Sequence, residues 1–410
     1  MKLKLKRIDL GLFIFGAIAV LPYIWPYYFE TLFSSANGLL LNTFTYISYA
    51  TTLLIALMYR KPLFELLKKS STLIYWVLAL FVLLLISTVV HSGKVSELWI
   101  ILVRVVSFSL LLACGVAMPS RFLLKGILFI YYLFIVLSFI GVFFPFPGIT
   151  GVRNFVSTKN MFLRCVFPGI LIGAYLDFQK KGDISLMTYI FLGIVSFSVL
   201  MFRSSAGTLA SFTVFALLII RHFLPGKKMG FAKSRIFFII SLAIGILLIF
   251  LRQFTFYSDA VETLFGKDAT FTGRSDLWNQ AVSIIQKNPV IGIGHLSVED
   301  GQIFGNAHWT STSCHSLYLD VAVETGIIGL IIFFVILILV TRKIDNSART
   351  GMAQCFSILF FCYLISFNVE VFFNSGQYIY TFPVLFFLSF CFAIGKSRKR
   401  RLRFVWDKSV

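Results

Sequence analysis

The sequence predicts an all-α polytopic membrane protein of about 12 transmembrane helices with one large extracytoplasmic loop. Three observations predict it. The 410 residues are 58% apolar and only 13% charged, with a mean hydropathy of +0.89, whereas soluble domains are about half apolar and about a quarter charged. Apolar windows of about 20 residues, the length that crosses roughly 30 Å of hydrocarbon at about 1.5 Å per residue, recur along the whole chain. The basic excess, 37 Lys and Arg against 17 Asp and Glu for a net +20, is confined largely to alternate connections. A soluble globular fold is excluded.

The windows run approximately over residues 9–25, 38–58, 72–90, 97–117, 122–145, 160–178, 184–202, 204–220, 236–252, 317–341, 351–373 and 376–395. The first follows a basic stretch ending at Arg7 but precedes no small-residue cleavage site, so it reads as a retained anchor. With both termini cytoplasmic, 27 of the 37 basic residues fall on the inner side, as the positive-inside bias requires. Eight lie outside: Lys94, Arg153, Lys159, Arg203, Arg252, Lys267, Arg274 and Lys287. Arg104 and Arg164 fall within spans. The basic tail from Lys396 to Arg403 is then a topology and lipid-attraction signal, with no nucleic acid as partner. Cys314 alone among the six cysteines sits near the outer face, and no metal-type spacing occurs.

The chain divides into residues 1–252 with helices 1–9, an external insertion at 253–314, residues 315–395 with helices 10–12, and a cytoplasmic tail at 396–410. A long connection in a compact bundle is usually functional. Within the insertion, Thr270 to Pro289 reads as a short amphipathic helix. Ser275 is expected to cap it, and Pro289 lies past its stop. Leu277, Trp278, Ala281, Ile284 and Ile285 form its apolar stripe, which would lie on the bundle or at the membrane surface. Arg274 stands at its N-terminus, where backbone N–H groups already favour an anion and a guanidinium adds a bidentate phosphate donor. His315 is expected where exposed polypeptide enters the tenth span, a place for a general base titrating near neutrality. Asp320 and Glu324, spaced i, i+4, share a helix face that must point inward or into a wet cavity. Thr325-Gly326 is read as a break at which the span proper begins.

The outer arginines Arg153 and Arg203 and the intramembrane Arg164 are functional candidates by default, because positive-inside bias and desolvation both disfavour them. Together they point to a lipid-linked phosphate or diphosphate. A zinc site at His295, His308 and His315 with Glu299 and Asp300 is conceivable on residue types alone, but the spacing matches no zinc motif.

Arg274-x-x-Leu-Trp278, Pro289-x-x-Gly-x-Gly294, His315-x-x-Tyr-Leu319 and Glu324-x-Gly-x-x-Gly329 resemble the signature of the bacterial O-antigen ligase and polysaccharide polymerase superfamily. Here Ser316 follows the motif histidine where the family often has Asn. Arg203 precedes Ser204-Ser205, whereas the family arginine usually follows a serine. The resemblance implies a GT-C-like membrane glycosyltransferase of the bacterial cytoplasmic membrane, with its site on the outer face. Its donor would be a polyprenyl-diphosphate-linked oligosaccharide and its acceptor a glycan or glycolipid. Membrane lipid and a chain-length regulator protein would be partners, and neither a cofactor nor a metal would be used. His315 and Arg274 would be catalytic, Arg274, Arg203 and Arg153 would bind diphosphate, and Glu324, Asp320 and Tyr318 would support them. A polymerase is the expectation. A ligase that passes the finished chain to lipid A-core or another terminal acceptor shares its chemistry, and a glycolipid flippase is the alternative from another class.

Overall fold

A computed structural model of the chain describes residues 2–91, 93–149, 153–224, 229–250, 274–296, 303–305, 310–311, 313–348, 350–369 and 376–393. Among them the helices are α1 (Lys2–Val20), α2 (Tyr27–Leu32), α3 (Asn37–Met58), α4 (Arg60–Lys68), α5 (Ser71–Val90), α6 (Val95–Ala117), α7 (Phe122–Phe143) and α8 (Phe162–Lys180). There follow α9 (Leu186–Met201), α10 (Ser205–Phe223), α11 (Ser234–Phe250), α12 (Arg274–Lys287), α13 (Leu317–Asp345), α14 (Thr350–Val369) and α15 (Gly376–Ala393). The two-residue strands β1 (Phe304–Gly305) and β2 (Thr310–Ser311) pair antiparallel. The fold is all-α and polytopic, as expected. Hydrocarbon offers no partner for backbone polar groups, so long apolar runs satisfy them internally as helices.

Eight described helices, α3, α5, α6, α7, α8, α10, α13 and α14, are long and apolar enough to cross a membrane by length and composition. Four shorter apolar helices, Asp9–Tyr23, Leu186–Met201, Ser234–Leu248 and Tyr378–Ala393, fall on the remaining windows. Burial separates inner from outer members: 78% of the apolar window of α8 and 83% of that of α14 is buried, against 28% in α3 and 33% in α10. The exposed faces of the outer helices carry Leu39, Leu53, Leu57, Leu209 and Ile220, side chains that lipid tolerates and water does not. α1 packs on α7, α6 on α15, α5 on α13, and α10 and α11 on α14. Between α6 and α7, Arg121 adopts a left-handed backbone. Its guanidinium donates to the carbonyls of Gly115, Val116 and Met118, acceptors that the end of α6 leaves without helical partners.

Two local expectations meet the structure differently. The break at Gly326 is present: its φ of 66° and ψ of −167° interrupt α13. α12 is described from Arg274 on, which sets Ser275 in its first turn, and the side chain expected to cap it lies outside the described residues.

Candidate functional site at one end of the bundle

The loop after α12 and the break in α13 are built for each other. On one side of the break, the N–H groups of Ile293 and Gly294 donate to the carbonyls of Val323 and Glu324 at 2.9 and 3.0 Å. On the other, the N–H groups of Ile327 and Ile328 donate to the carbonyls of Pro289 and Val290 at 2.8 and 3.4 Å. Breaking a helix orphans carbonyls before the break and N–H groups after it, and this loop supplies partners for both. Two glycines make the approach possible. A Cβ on Gly326 would strike the Val290 carbonyl, and one on Gly292 would strike the Val323 carbonyl. The two glycine-bearing motifs thus form one clasp.

A carboxylate locks the clasp from within. Glu324, buried, accepts from the Tyr378 hydroxyl of α15 and from the Leu296 N–H at 3.4 Å, and its Oε1 lies 3.2 Å from His295 Nδ1. The His295 N–H donates to Thr88 Oγ1 at 2.9 Å, and His295 Nε2 faces Glu97 Oε2 at 3.9 Å. The expectation of an inward-pointing Glu324 holds. Its partner Tyr378, and the His295 partners Thr88 and Glu97, lie far away in the chain and carry no local sequence signal.

Asp320 organises the turn that precedes α13. Its Oδ2 accepts from the Ser313 hydroxyl at 2.8 Å and its Oδ1 from the Cys314 N–H at 2.9 Å. The same Ser313 oxygen accepts from the His315 N–H at 3.0 Å. His315 is thereby held with φ 58°, a left-handed conformation that costs a non-glycine residue about 1–3 kcal/mol and persists only where neighbours enforce it. Its side chain is 6% exposed, more enclosed than the aqueous boundary expected from the sequence, because the turn is drawn under α12. The Trp278 indole N–H donates to the Cys314 carbonyl at 2.9 Å, and Leu277, Trp278 and Ala281 bury with Leu296, Phe304, Cys314 and Val323. α12 therefore lies on the bundle by its apolar stripe. Gln280 fastens β1 to it, donating to the Gly305 carbonyl at 2.6 Å and accepting from the Gly305 N–H at 3.0 Å. Burial, with the Asp320 carboxylate beside it, pushes the Cys314 thiol well above its ordinary pKa, which disfavours a thiolate there.

Aromatic and polar contacts place the other candidates at this same end. The Tyr318 ring packs on Phe367 with 6.2 Å between centroids, and it also meets Phe333 and Phe334. The Arg164 guanidinium sits 5.6 Å from the Phe367 centroid and donates to the Ser366 carbonyl and, at 3.3 Å, to its hydroxyl. Two residues earlier in α8, Phe162 meets Phe202 edge-on at 5.2 Å, and Arg203 follows. Arg203 is exposed, with φ 58°, at the junction of α9 and α10. Arg153 stacks 4.4 Å from the Tyr27 ring centroid and donates to the Tyr27 hydroxyl. Arg104, to which the sequence assigned no role, lies near Tyr49 of α3. The backbone of Arg274 stands one turn before Trp278, and its side chain lies outside the described residues. His308, Glu299 and Asp300 also lie outside them, and among the described residues no group of three His, Cys, Asp or Glu is placed to hold a metal ion.

Residues 190–334, which contain Arg203, Arg274, the clasp, His315, Asp320 and Glu324, match the family model described as O-Antigen ligase. That match supports an O-antigen ligase/polymerase-like family for this stretch. Over 89 residues the chain is 30% identical to the exopolysaccharide production protein ExoQ of Rhizobium meliloti (strain 1021), a stretch that is 20% of each protein. The chain thus covers about a fifth of the length of that curated relative. Both matches support ligase- or polymerase-type chemistry in polysaccharide biosynthesis.

Proposed function

We propose that the chain is a polysaccharide repeat-unit polymerase of the bacterial cytoplasmic membrane that transfers a glycan from a polyprenyl-diphosphate donor to a glycan acceptor on the outer face. The observation that supports this reading most is the His315 turn. A buried imidazole, held on a left-handed residue through Ser313 and Asp320, lies at the bundle end that also carries Arg203 and the α12 contact with Cys314.

In this reading the acceptor hydroxyl oxygen forms the new bond to the anomeric carbon while His315 takes its proton. The bond between that carbon and the diphosphate oxygen breaks, and its electron pair leaves with the diphosphate. Attack from the opposite face inverts the anomeric centre. Arg274 and Arg203, with Arg153 as a further phosphate contact, stabilise the developing charge, so the step calls on no metal. Glu324 and Asp320 act by position, holding the break in α13 and the His315 turn, and Tyr318 anchors that turn on Phe367. Membrane lipid and a chain-length regulator protein are the partners this role implies.

Two readings divide on the acceptor. The description of the family model favours a ligase, and the name of the Rhizobium relative favours polymer production. Nothing in the sequence specifies a lipopolysaccharide core as acceptor, so the polymerase is retained. Deletion followed by gel profiling of surface glycans separates the outcomes. Single-repeat products are expected. Accumulated unattached long polymer would make the chain a ligase, and internal accumulation of lipid-linked units would make it a flippase.

Arg274→Lys keeps the charge but loses the bidentate fork. A charge-assisted hydrogen bond contributes about 1.5–3 kcal/mol, so transfer is expected to fall at least about tenfold. An undiminished rate would remove Arg274 from phosphate binding.

A further inference from the structure

His295 is a buried titratable residue that the proposed transfer does not use. It follows Gly294 in the loop that clasps the break in α13, and its side chain is 1% exposed. A carboxylate faces each ring nitrogen: Glu324 Oε1 lies 3.2 Å from Nδ1, and Glu97 Oε2 lies 3.9 Å from Nε2, the separation of an ion pair. The Glu324 side chain, from α13, is 3% exposed, and that of Glu97, from the first turn of α6, is 31% exposed. The bridge therefore runs from the surface at the start of α6 to the interior of the break.

A neutral imidazole has one N–H and a carboxylate only accepts, so two carboxylates that face both ring nitrogens need one further proton. The ring is the more basic partner and takes it, and an opposite charge on each side favours the imidazolium against the cost of burial. Loss of that proton leaves one N–H for two carboxylates and removes the positive charge that the buried Glu324 faces, so one arm of the bridge opens. Among the described residues, the other titratable groups on the elements packed here are Tyr378 of α15, which donates to Glu324, Lys94 at the N-cap of α6, and His91 at the C-cap of α5. Asp320 stands one turn before Glu324, and its carboxylate is engaged by Ser313 and Cys314. α5 also offers the uncharged Thr88 hydroxyl to the His295 backbone N–H, and α12 turns the apolar Leu277, Trp278 and Ala281 toward the clasp.

Through Ser313, Asp320 also holds the His315 N–H, so what fixes Glu324 and the break fixes the turn that carries the proposed base. We infer that His295 is a positioning residue: as an imidazolium it ties Glu97 of α6 to Glu324 of α13, and the break and the His315 turn keep their geometry while the ring holds its proton. That this serves catalysis rests on the proposed glycan transfer, whereas the titrating bridge rests on the geometry alone. His315 must be neutral to accept a proton and sets the acid limb of the pH–rate profile. His295 must be charged and sets the alkaline limb. A histidine that gains carboxylate partners on folding contributes stability that is present in full below the ordinary histidine range and is lost as pH rises through the titration of the folded ring, so the same limb appears in the thermal transition.

The test follows the full-length chain across the histidine range and above it, reading transfer in liposomes and the thermal transition in detergent. Glu97→Gln keeps the shape of the side chain and removes one carboxylate. It is expected to move the alkaline limb of both readouts to lower pH by about one unit while the acid limb stays in place. His295→Asn keeps an amide N–H near the Nδ1 position but cannot titrate, and it is expected to lower transfer severalfold near neutral pH and to abolish the alkaline limb in both readouts. Glu97 is partly exposed and lies outside the clasp, so Glu97→Gln carries the test should His295→Asn fail to fold. Coincident wild-type and Glu97→Gln profiles, or lost transfer with the alkaline limb unmoved, would overturn the inference and leave His295 a structural contact. His315→Ala, which tests the transfer reading, is expected to keep the alkaline limb of the thermal transition, so the two failures are distinguishable.

Discussion

His315→Ala is expected to abolish long surface glycan while the protein accumulates at the wild-type level. The expectation follows from what holds the residue. Its backbone is fixed by hydrogen bonds through Ser313 and Cys314 to Asp320, none of which uses the imidazole, so removing the ring leaves the turn intact. The residue itself is nearly buried, and general-base catalysis contributes about 10²–10⁴-fold to a rate. A loss of that size reduces polymer to single repeats on a gel. Full-length polymer from a His315→Ala strain at equal protein level would remove the histidine from the reaction.

Gly326→Ala is expected to cost both stability and activity. The φ and ψ of Gly326 fall in a region that is essentially glycine's alone, worth about 1–3 kcal/mol of strain for another residue, and the added methyl would also meet the Val290 carbonyl. Relieving that collision pulls the 289–294 loop off the break. It exposes the carbonyls of Val323 and Glu324 and separates Glu324 from His295. A lower thermal transition in detergent and loss of polymer should appear together. Gly230→Ala, where no heavy atom lies within 4 Å of the added carbon and φ is ordinary, should show neither. Wild-type melting and glycan from Gly326→Ala would mean that the clasp is dispensable.

Much of this molecule was readable from its residues because hydrocarbon leaves the chain few choices. Uninterrupted Leu, Ile, Val and Phe runs announce helices, and an i, i+4 pair of carboxylates within one can only face inward. The Gly326 break was legible for a related reason: a polar, acidic turn followed by Gly-Ile-Ile-Gly-Leu marks a change of environment. Partners distant in the chain were not legible. Tyr378 reaches Glu324 across 54 residues and Thr88 reaches His295 across 207, contacts that only the packing of α5, α13 and α15 creates. The glycines of the two motifs also read as separate signals, because nothing local says that one set was placed to admit the backbone of the other. Arg153 is a further case. The sequence offered it as an outer cation, whereas its stacking on Tyr27 depends on how α2 and the α7–α8 connection fold together.

The central claim is that the His315 end of the bundle moves a glycan off a polyprenyl diphosphate. Reconstitution tests it most directly, with the purified chain in liposomes, a polyprenyl-diphosphate-linked repeat unit and a chelator, following released polyprenyl diphosphate and glycan length together. The wild-type chain is predicted to release diphosphate carrier in step with elongated glycan, and His315→Ala to release almost none. Equal release by both proteins, or elongation that continues without carrier release, would contradict the account.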